Sequence, residues 1–392
     1  MRPRVAFVVQ RYGLEVDGGA ELECRRIAEL MTGVWDVTVL TTCALDYYTW
    51  GNHYAAGEEK INRVRVQRYP VKKKRNLKKF NQISDRILGK PHTKEDELRW
   101  MTAQGPDAPQ LLDAIKDQKD RFDVFIFFTY LYATTFWGLS DVAYKSLLVP
   151  TAHDELPIYL SIFEELFAKP RGFIFNSPEE KAFLKRKFDI DTSLSDVIGV
   201  GVQTDPGFNI ENVYSENFPE NYVIYVGRID GSKGCPEMFD YWQRYKTKYK
   251  GDLQLSLVGR AQMEIPEHKD IVPLGFISEE EKFAAIARSQ CLIMPSPFES
   301  LSIVLLEAWL CGRPVLVNGK CEVLKGQCRR SNGGLWYENY DEFEACLNFF
   351  LDENETALKM AANGKKFVEL NYSWDEIKKK YSALIDRFLN LN

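Results

Sequence analysis

Short apolar runs, each closed by glycine, proline or small polar residues, recur along this chain with helical stretches between several of them. That alternation restricts the chain to an α/β architecture. Runs read as buried strands occupy residues 5–10, 36–42, 63–69, 123–129, 146–150, 172–176 and 196–200, and then 222–226, 253–258, 291–294 and 314–318. A turn and strand follow at 332–337, and helical periodicity marks 20–31, 179–188, 341–351, 355–370 and 374–389. Strands separated by helices build doubly wound, largely parallel sheets.

A length of 392 residues exceeds one ordinary core, so two domains are expected. The stretch 204–219, rich in Asn, Glu and Pro, reads as the linker. The expected division is therefore 1–203, 204–373 and a closing helix in 374–392. With 45% hydrophobic and 27% charged residues the composition is that of a soluble globular protein, and a net charge of −5 argues against a general nucleic-acid binder. Eight cysteines without a C-x-x-C and four dispersed histidines give no zinc pattern, and they read as reduced thiols of a cytoplasmic protein. No apolar run approaches a membrane span.

The segment 291–314 concentrates the chemistry. An apolar run ends at Met294, a loop carries Glu299, no helix breaker interrupts 300–311, and Gly312 and Pro314 stop the helix. Ser300 or Ser302 is placed to cap it, presenting amides and the positive dipole end to a phosphate or sugar oxygen. Glu299 and Glu307 lie eight residues apart. Were every step helical, they would be about 12 Å apart along the axis, too far for the roughly 5 to 9.5 Å of a paired glycosidase site. They read as two holds on one long ligand.

Two further loops fit a phosphate. After the strand at 222–226, Arg228 and Lys233 stand in the glycine-bounded loop Gly227-Arg228-Ile229-Asp230-Gly231-Ser232-Lys233-Gly234, able to converge on a diphosphate as planar fork and movable point charge. Between the first strand and helix, Gly13, Gly18 and Gly19 permit close backbone approach to a phosphate, but the G-x-G-x-x-G of a dinucleotide site is absent. His153 follows the strand at 146–150, at a strand end where α/β proteins place ligand contacts. Between 72 and 90, Lys72, Lys73, Lys74, Arg75, Lys78, Lys79, Arg86 and Lys90 face the single acid Asp85, which reads either as a solvated face or as a docking surface for an anionic headgroup or acceptor. Asp189-Ile190-Asp191 has the form of a metal-binding D-x-D but follows a Lys-rich helix rather than a core strand, so a solvated turn is expected.

Together these motifs resemble the retaining GT-B glycosyltransferases of family 4, which use nucleotide sugars. Glu299 and Glu307 match the E-x7-E signature, flanked by P-S-x-x-E-S-L and G-R-P-V; V-G-R-x-x-x-x-K-G matches the diphosphate loop; Gly18-Gly19-Ala20-Glu21 resembles the G-G-x-E turn. The resemblance covers nearly the whole chain and is stronger after residue 220. It implies a GT-B fold: two doubly wound Rossmann-like domains facing an interdomain cleft, an acceptor side formed by the first, and a C-terminal crossover helix. It further implies Arg228, Lys233, Gly18, Gly19 and the helix terminus at Ser300, Leu301 and Ser302 on the donor diphosphate, Glu299 and His153 at the donor sugar, Glu307 on the ribose, and Phe276 and Ile277 at the nucleobase.

The expected activity is transfer of a sugar from a nucleoside-diphosphate sugar, UDP- or GDP-linked, to a hydroxyl of a glycan, polysaccharide or lipid-linked saccharide, with retention. No metal or cofactor is expected, and peripheral membrane contact would run through 72–90. The rivals are an inactive GT-B module that binds a partner and a sugar-nucleotide hydrolase or epimerase of the same fold. An NAD-dependent oxidoreductase would need the glycine fingerprint that neither half provides.

Overall fold

The computed structural model describes residues 2–16, 18–203, 213 and 218–391, so most of the expected linker at 204–219 lies outside the described residues. The chain divides into two compact units, Met1–Gly201 with Ile377–Asn392, and Val202–Glu376.

In the first unit the strands are β1 (Arg4–Val8), β2 (Asp36–Thr42), β3 (Gly57–Ile61), β4 (Val64–Tyr69), β5 (Val124–Phe128), β6 (Ser146–Val149), β7 (Gly172–Phe175) and β8 (Ser195–Val197). They form one sheet in the order β3-β4-β2-β1-β5-β6-β7-β8. All neighbours are parallel except the β3–β4 hairpin. Its helices are α1 (Gly19–Met31), α2 (Leu77–Ile87), α3 (Lys94–Gln104), α4 (Pro109–Asp117), α5 (Ala133–Gly138), α6 (Ile162–Phe167) and α7 (Pro178–Phe188). All five residues of β5, Val-Phe-Ile-Phe-Phe, are fully buried. Phe125 and Phe127 belong to one core with Trp100, Leu111, Ile115 and Phe163, while Phe128 meets Phe7 on the other face at 5.5 Å between ring centroids. Alternation across the strand thus feeds both layers, and each such side chain stabilises the fold by roughly 1.5–3 kcal/mol.

The second unit contains β9 (Tyr222–Val226), β10 (Gln254–Val258), β11 (Ile271–Gly275), β12 (Leu292–Met294), β13 (Val315–Asn318) and β14 (Gly334–Tyr337), all parallel, in the order β11-β10-β9-β12-β13-β14. Between and after them run α8 (Cys235–Lys248), α9 (Glu279–Arg288), α10 (Ile303–Leu310), α11 (Glu322–Ser331), α12 (Tyr340–Asp352) and α13 (Asn354–Asn371). The core joins Leu255, Leu257 and Ile293 of the sheet to Met238 and Trp242 of α8 and Phe343 and Leu347 of α12.

The last helix, α14 (Trp374–Asn390), carries its residues from 377 onward into the first unit. There Tyr381 meets Trp35 edge-on at 6.4 Å, Arg171 lies over the Phe388 ring at 4.9 Å, and Arg387 pairs with Asp196 at 3.3 Å. This is the crossover helix expected over 374–389. No helix among the described residues is long and apolar enough to cross a membrane.

Candidate functional site

Each sheet has one point where the chain reverses its direction of strand addition. In the second sheet β9, β10 and β11 run outward one way and β12 starts on the other side of β9, so the crevice lies between the C-terminal ends of β9 and β12. Open α/β sheets bind ligands at such points. The loop after β9 carries Arg228 and Lys233; the loop after β12 carries Glu299 to Ser302. Gly234 brings the two together: its φ is +74°, and a Cβ there would lie 2.2 Å from the Pro295 carbonyl oxygen. Only glycine accepts both conditions.

Lys233 Nζ meets Glu299 Oε1 at 2.7 Å, a partly buried ion pair between side chains 66 residues apart. Arg228 Nη1 stands 3.4 Å from Asp230 Oδ2, and Asp230 Oδ1 accepts the Lys233 N–H at 3.0 Å and the Ser232 hydroxyl at 2.6 Å. One carboxylate thereby shapes the turn that carries both cations and pairs with the Arg228 guanidinium. The carbonyl of Arg228 accepts the Tyr225 hydroxyl at 2.6 Å, and burial pushes that phenol's pKa up, so it stays a donor. Asn318 at the end of β13 donates Nδ2–H to the Pro295 carbonyl at 2.9 Å, fixing the start of the Glu299 loop. Asp230, Tyr225 and Asn318 do not appear among the residues singled out from sequence; Asp230 alone had a signal there, an N-cap type three residues before Lys233.

Of the two serines placed to cap the helix after this loop, the second does so. Ser302, with φ −93° and ψ 103°, is the N-cap, its Oγ accepting the Leu305 N–H at 3.4 Å, and the helix starts at Ile303. Residues 299–302 are therefore not helical, and the 12 Å rise reckoned for a fully helical Glu299–Glu307 segment does not apply. The cap choice decides this: an N-cap serine accepts the amide three residues on from a non-helical, extended conformation. Ser300 and Leu301 lie in the loop between β12 and α10, and the first-turn amides of α10 have no partner within the helix apart from the cap.

Glu307 is 3% exposed and pairs with Lys282 of α9, whose Nζ is 2.9 Å from Glu307 Oε2 and also bonds Glu279. Lys282 is another residue not singled out from sequence. Since α9 follows directly from the loop bearing Phe276 and Ile277, this pair links Glu307 to that loop through one helix. Phe276 is 72% exposed, with the Arg260 guanidinium 5.0 Å from its ring centre.

In the first unit the reversal lies between β1 and β5. Gly18 is the N-cap of α1 with Gly19 as its first residue. A Cβ on Gly18 would lie 2.0 Å from Glu21 Oε2, whereas nothing stands within 4 Å of one on Gly19. Glu21 is buried, accepting Gln10 Nε2–H at 2.8 Å and pairing with Arg11 at 2.6 Å. His153 lies after β6, its Nδ1 3.8 Å from Glu155 Oε1, and Glu155 accepts the Tyr130 hydroxyl at 2.9 Å. Beneath this loop two glutamates are buried, Glu180 at the start of α7 and Glu23 on α1; burial pushes them to about 8 and about 7.

Of the basic run at 72–90, Arg75 turns inward: it bonds the carbonyls of Tyr47 and Tyr48 and stands 5.2 Å from the Trp50 ring. Arg86 pairs with Asp96 at 2.6 Å, while Lys72, Lys73, Lys74, Lys78, Lys79 and Lys90 are exposed. Asp189 ends α7 at φ +46°, and Asp191 accepts Ser193 N–H and Oγ–H, a surface turn as expected for Asp189-Ile190-Asp191.

The two Rossmann-like parallel-sheet units with the returning helix define the GT-B fold. Solved structures with that fold superpose on the full length: sucrose-phosphate synthase from Thermosynechococcus elongatus, with a TM-score of 0.70, 16% identity and 100% of each chain covered, and HepE from Anabaena in complex with UDP and glucose, with 0.67, 14%, and 98% and 100%. Residues 209–367 match the family model described as glycosyl transferases group 1. Among curated proteins, the chain is similar to an uncharacterised glycosyltransferase of Methanocaldococcus jannaschii, 26% identical over 230 residues, 53% of this chain and 54% of that protein. It is also similar to the MMP α-(1→4)-mannosyltransferase of Mycolicibacterium hassiacum, 24% identical over 156 residues, 36% of this chain and 37% of that protein. The chain thus spans about half the length, or less, of these curated relatives.

Proposed function

We propose that the protein is a glycosyltransferase of the family 4 type, moving a sugar from a nucleoside-diphosphate sugar to an acceptor hydroxyl with retention of anomeric configuration. The observation that carries this reading is the Lys233–Glu299 pair, held with Arg228 at the reversal point of the sheet in the segment that the family model matches. Binding of UDP and glucose by the structurally similar HepE supports a nucleotide-sugar donor.

In this reading Arg228, Lys233 and the amides at Ser300, Leu301 and Ser302 stabilise the charge that builds on the diphosphate as the anomeric bond breaks. Glu299 holds donor-sugar hydroxyls, Glu307 the ribose, and the Phe276–Ile277 backbone the base. On the first unit, Gly18 and Gly19 serve the diphosphate and His153 the sugar, as the resemblance implies. The departing phosphate oxygen takes the acceptor proton, so neither an enzymic nucleophile nor a metal is invoked. The acceptor is a glycan, polysaccharide or lipid-linked saccharide, met in the cytoplasm or at the inner membrane face through the exposed lysines of 72–79.

The test is incubation with UDP-, GDP- and ADP-sugars labelled in the sugar, after thermal-shift screening to find the donor. A ligand at 100 times its dissociation constant adds about 2.7 kcal/mol of stability, enough to read. Label is expected in a saccharide acceptor, with the donor's anomeric configuration by NMR. Label appearing only in free sugar or in an isomer of the donor would replace transfer by hydrolysis or epimerisation, and no stabilisation by any nucleotide would contradict the reading.

A further inference from the structure

A buried carboxylate that neither the family signature nor the donor site uses lies under the His153 loop. Glu180, 1% exposed, accepts two backbone N–H groups: that of Ala152 on Oε1 and that of Asn176 on Oε2, each at 2.6 Å. Its own N–H is held by Ser177 Oγ at 3.1 Å, so the first turn of α7 fixes the carboxylate as well. Asn176 in turn donates Nδ2–H to Glu23 Oε2 at 2.9 Å, anchoring the arrangement to α1. One side chain therefore ties the loops after β6 and β7 to each other.

The tie falls beside a strained residue. Thr151 has φ +49°, a left-handed conformation that β-branched residues adopt only when the surroundings dictate it, at roughly 1–3 kcal/mol. Ala152, the next residue, is the one whose N–H Glu180 holds, and His153 follows. On the far side the His153 carbonyl accepts the Glu155 N–H at 2.9 Å, and Glu155 is itself held by Tyr130. The histidine is thus bracketed by two glutamates, one through the backbone and one near its ring.

We propose that Glu180 is a positioning residue that acts through Ala152 to fix the orientation of His153. This rests on the reading of His153 as a residue of the donor-sugar site. A carboxyl group offers lone pairs on both of its oxygens, which two converging N–H donors require, whereas an amide offers one accepting oxygen only. In Glu180→Gln an NH2 group meets one of those backbone N–H groups, and that amide loses its acceptor. Glu180→Asp keeps the carboxyl group but is one methylene short of spanning both loops.

The test combines kinetics with NMR of histidine-labelled protein, the His153 signal being assigned by its loss in His153→Ala. In Glu180→Gln, kcat for transfer should fall about tenfold or more with donor KM and nucleotide Kd unchanged, as misplacement rather than lost binding produces. The His153 signal should shift, a readout that needs no glycosyl transfer. In the His153→Ala background the Glu180→Gln loss should shrink below about twofold, because the two act as a unit. Glu180→Asp should behave alike and carries the comparison should the glutamine variant fail to fold. A folded Glu180 variant with wild-type kcat and an unmoved His153 signal would overturn the proposal, as would independent, multiplying losses in the double variant. If instead the signal moves while His153→Ala transfers normally, Glu180 positions the loop and it is the catalytic reading of His153 that falls.

Discussion

Lys233 and Glu299 bond each other at 2.7 Å, so a donor that engages both must exchange that pair for a phosphate oxygen and sugar hydroxyls. Loss of a charged hydrogen-bond partner costs about 1.5–3 kcal/mol, so Lys233→Ala should weaken nucleoside diphosphate binding roughly ten- to a hundredfold in calorimetry. Glu307→Ala should weaken free nucleoside diphosphate and sugar nucleotide by the same factor, since the ribose is common to both; a loss confined to the sugar nucleotide would move Glu307 off the ribose. Lys282→Met tests the buried pair itself. It removes the cation 2.9 Å from a 3% exposed carboxylate, and the denaturation midpoint should fall by the equivalent of about 3–5 kcal/mol, whereas an unchanged midpoint would mean that the pair adds nothing to stability. Arg228, Lys233 and Glu299 were legible in the sequence because a charge in a glycine-bounded loop after a strand has few structural reasons to be there. Lys282 and Glu180 were not, because the partners that give them their roles, Glu307 and Ala152, stand 25 and 28 residues away and each sits in a helix where Lys and Glu are ordinary.

At the scale of elements, the buried core strands and the C-terminal helices were legible almost to the residue, as for 36–42 and 222–226, because continuous apolar runs identify parallel strands. The strand at Gly57–Ile61 was not. Its sequence Gly-Glu-Glu-Lys-Ile is mostly exposed, and it is held at the sheet edge by Glu58 to Gln67 and Glu59 to Arg68. Its turn hid the hairpin as well: Asn62 and Arg63 have φ +43° and +73°, and an arginine stands where glycine would have given the signal. The helices α3 and α4 escaped, and of α2 the charge run showed only the solvated face, not the inner one that Phe80, Ile83 and Ile87 share.

Helix α1 offers a prediction of its own. Burial raises Glu23 from 4.5 to about 7, so the folded chain holds this proton more tightly than the unfolded one. Its contribution is fully present below pH 4.5, is lost as pH rises through about 7, and is level above. Glu23→Gln removes that loss, so the variant should exceed wild type at pH 8.5 by up to about 3 kcal/mol in urea unfolding and converge with it near pH 5. Parallel stability curves would mean that Glu23 is not buried as a carboxyl.

At the scale of the molecule, each unit has its own sheet, wholly parallel in the second and parallel but for one hairpin in the first, with its own core and its own reversal point, and α14 is the part of the second half assigned to the first. The exposed lysines Lys72, Lys73 and Lys74 belong to the first unit, whereas Arg228, Lys233, Glu299 and Glu307 belong to the second. Changing all three to Glu should abolish salt-sensitive binding to anionic vesicles, whose attraction is screened over about 8 Å at physiological ionic strength, and leave nucleotide affinity unchanged. Vesicle binding equal to wild type would make the segment a solvated face. The central claim, that this chain transfers sugar from a nucleotide donor gripped beside Glu299, is tested most directly by labelled-sugar transfer in Glu299→Ala at saturating donor, with nucleoside diphosphate affinity measured on the same sample. The account predicts transfer reduced at least a hundredfold while affinity stays within about threefold, because Glu299 holds the sugar and not the nucleotide. Full transfer by Glu299→Ala would contradict it.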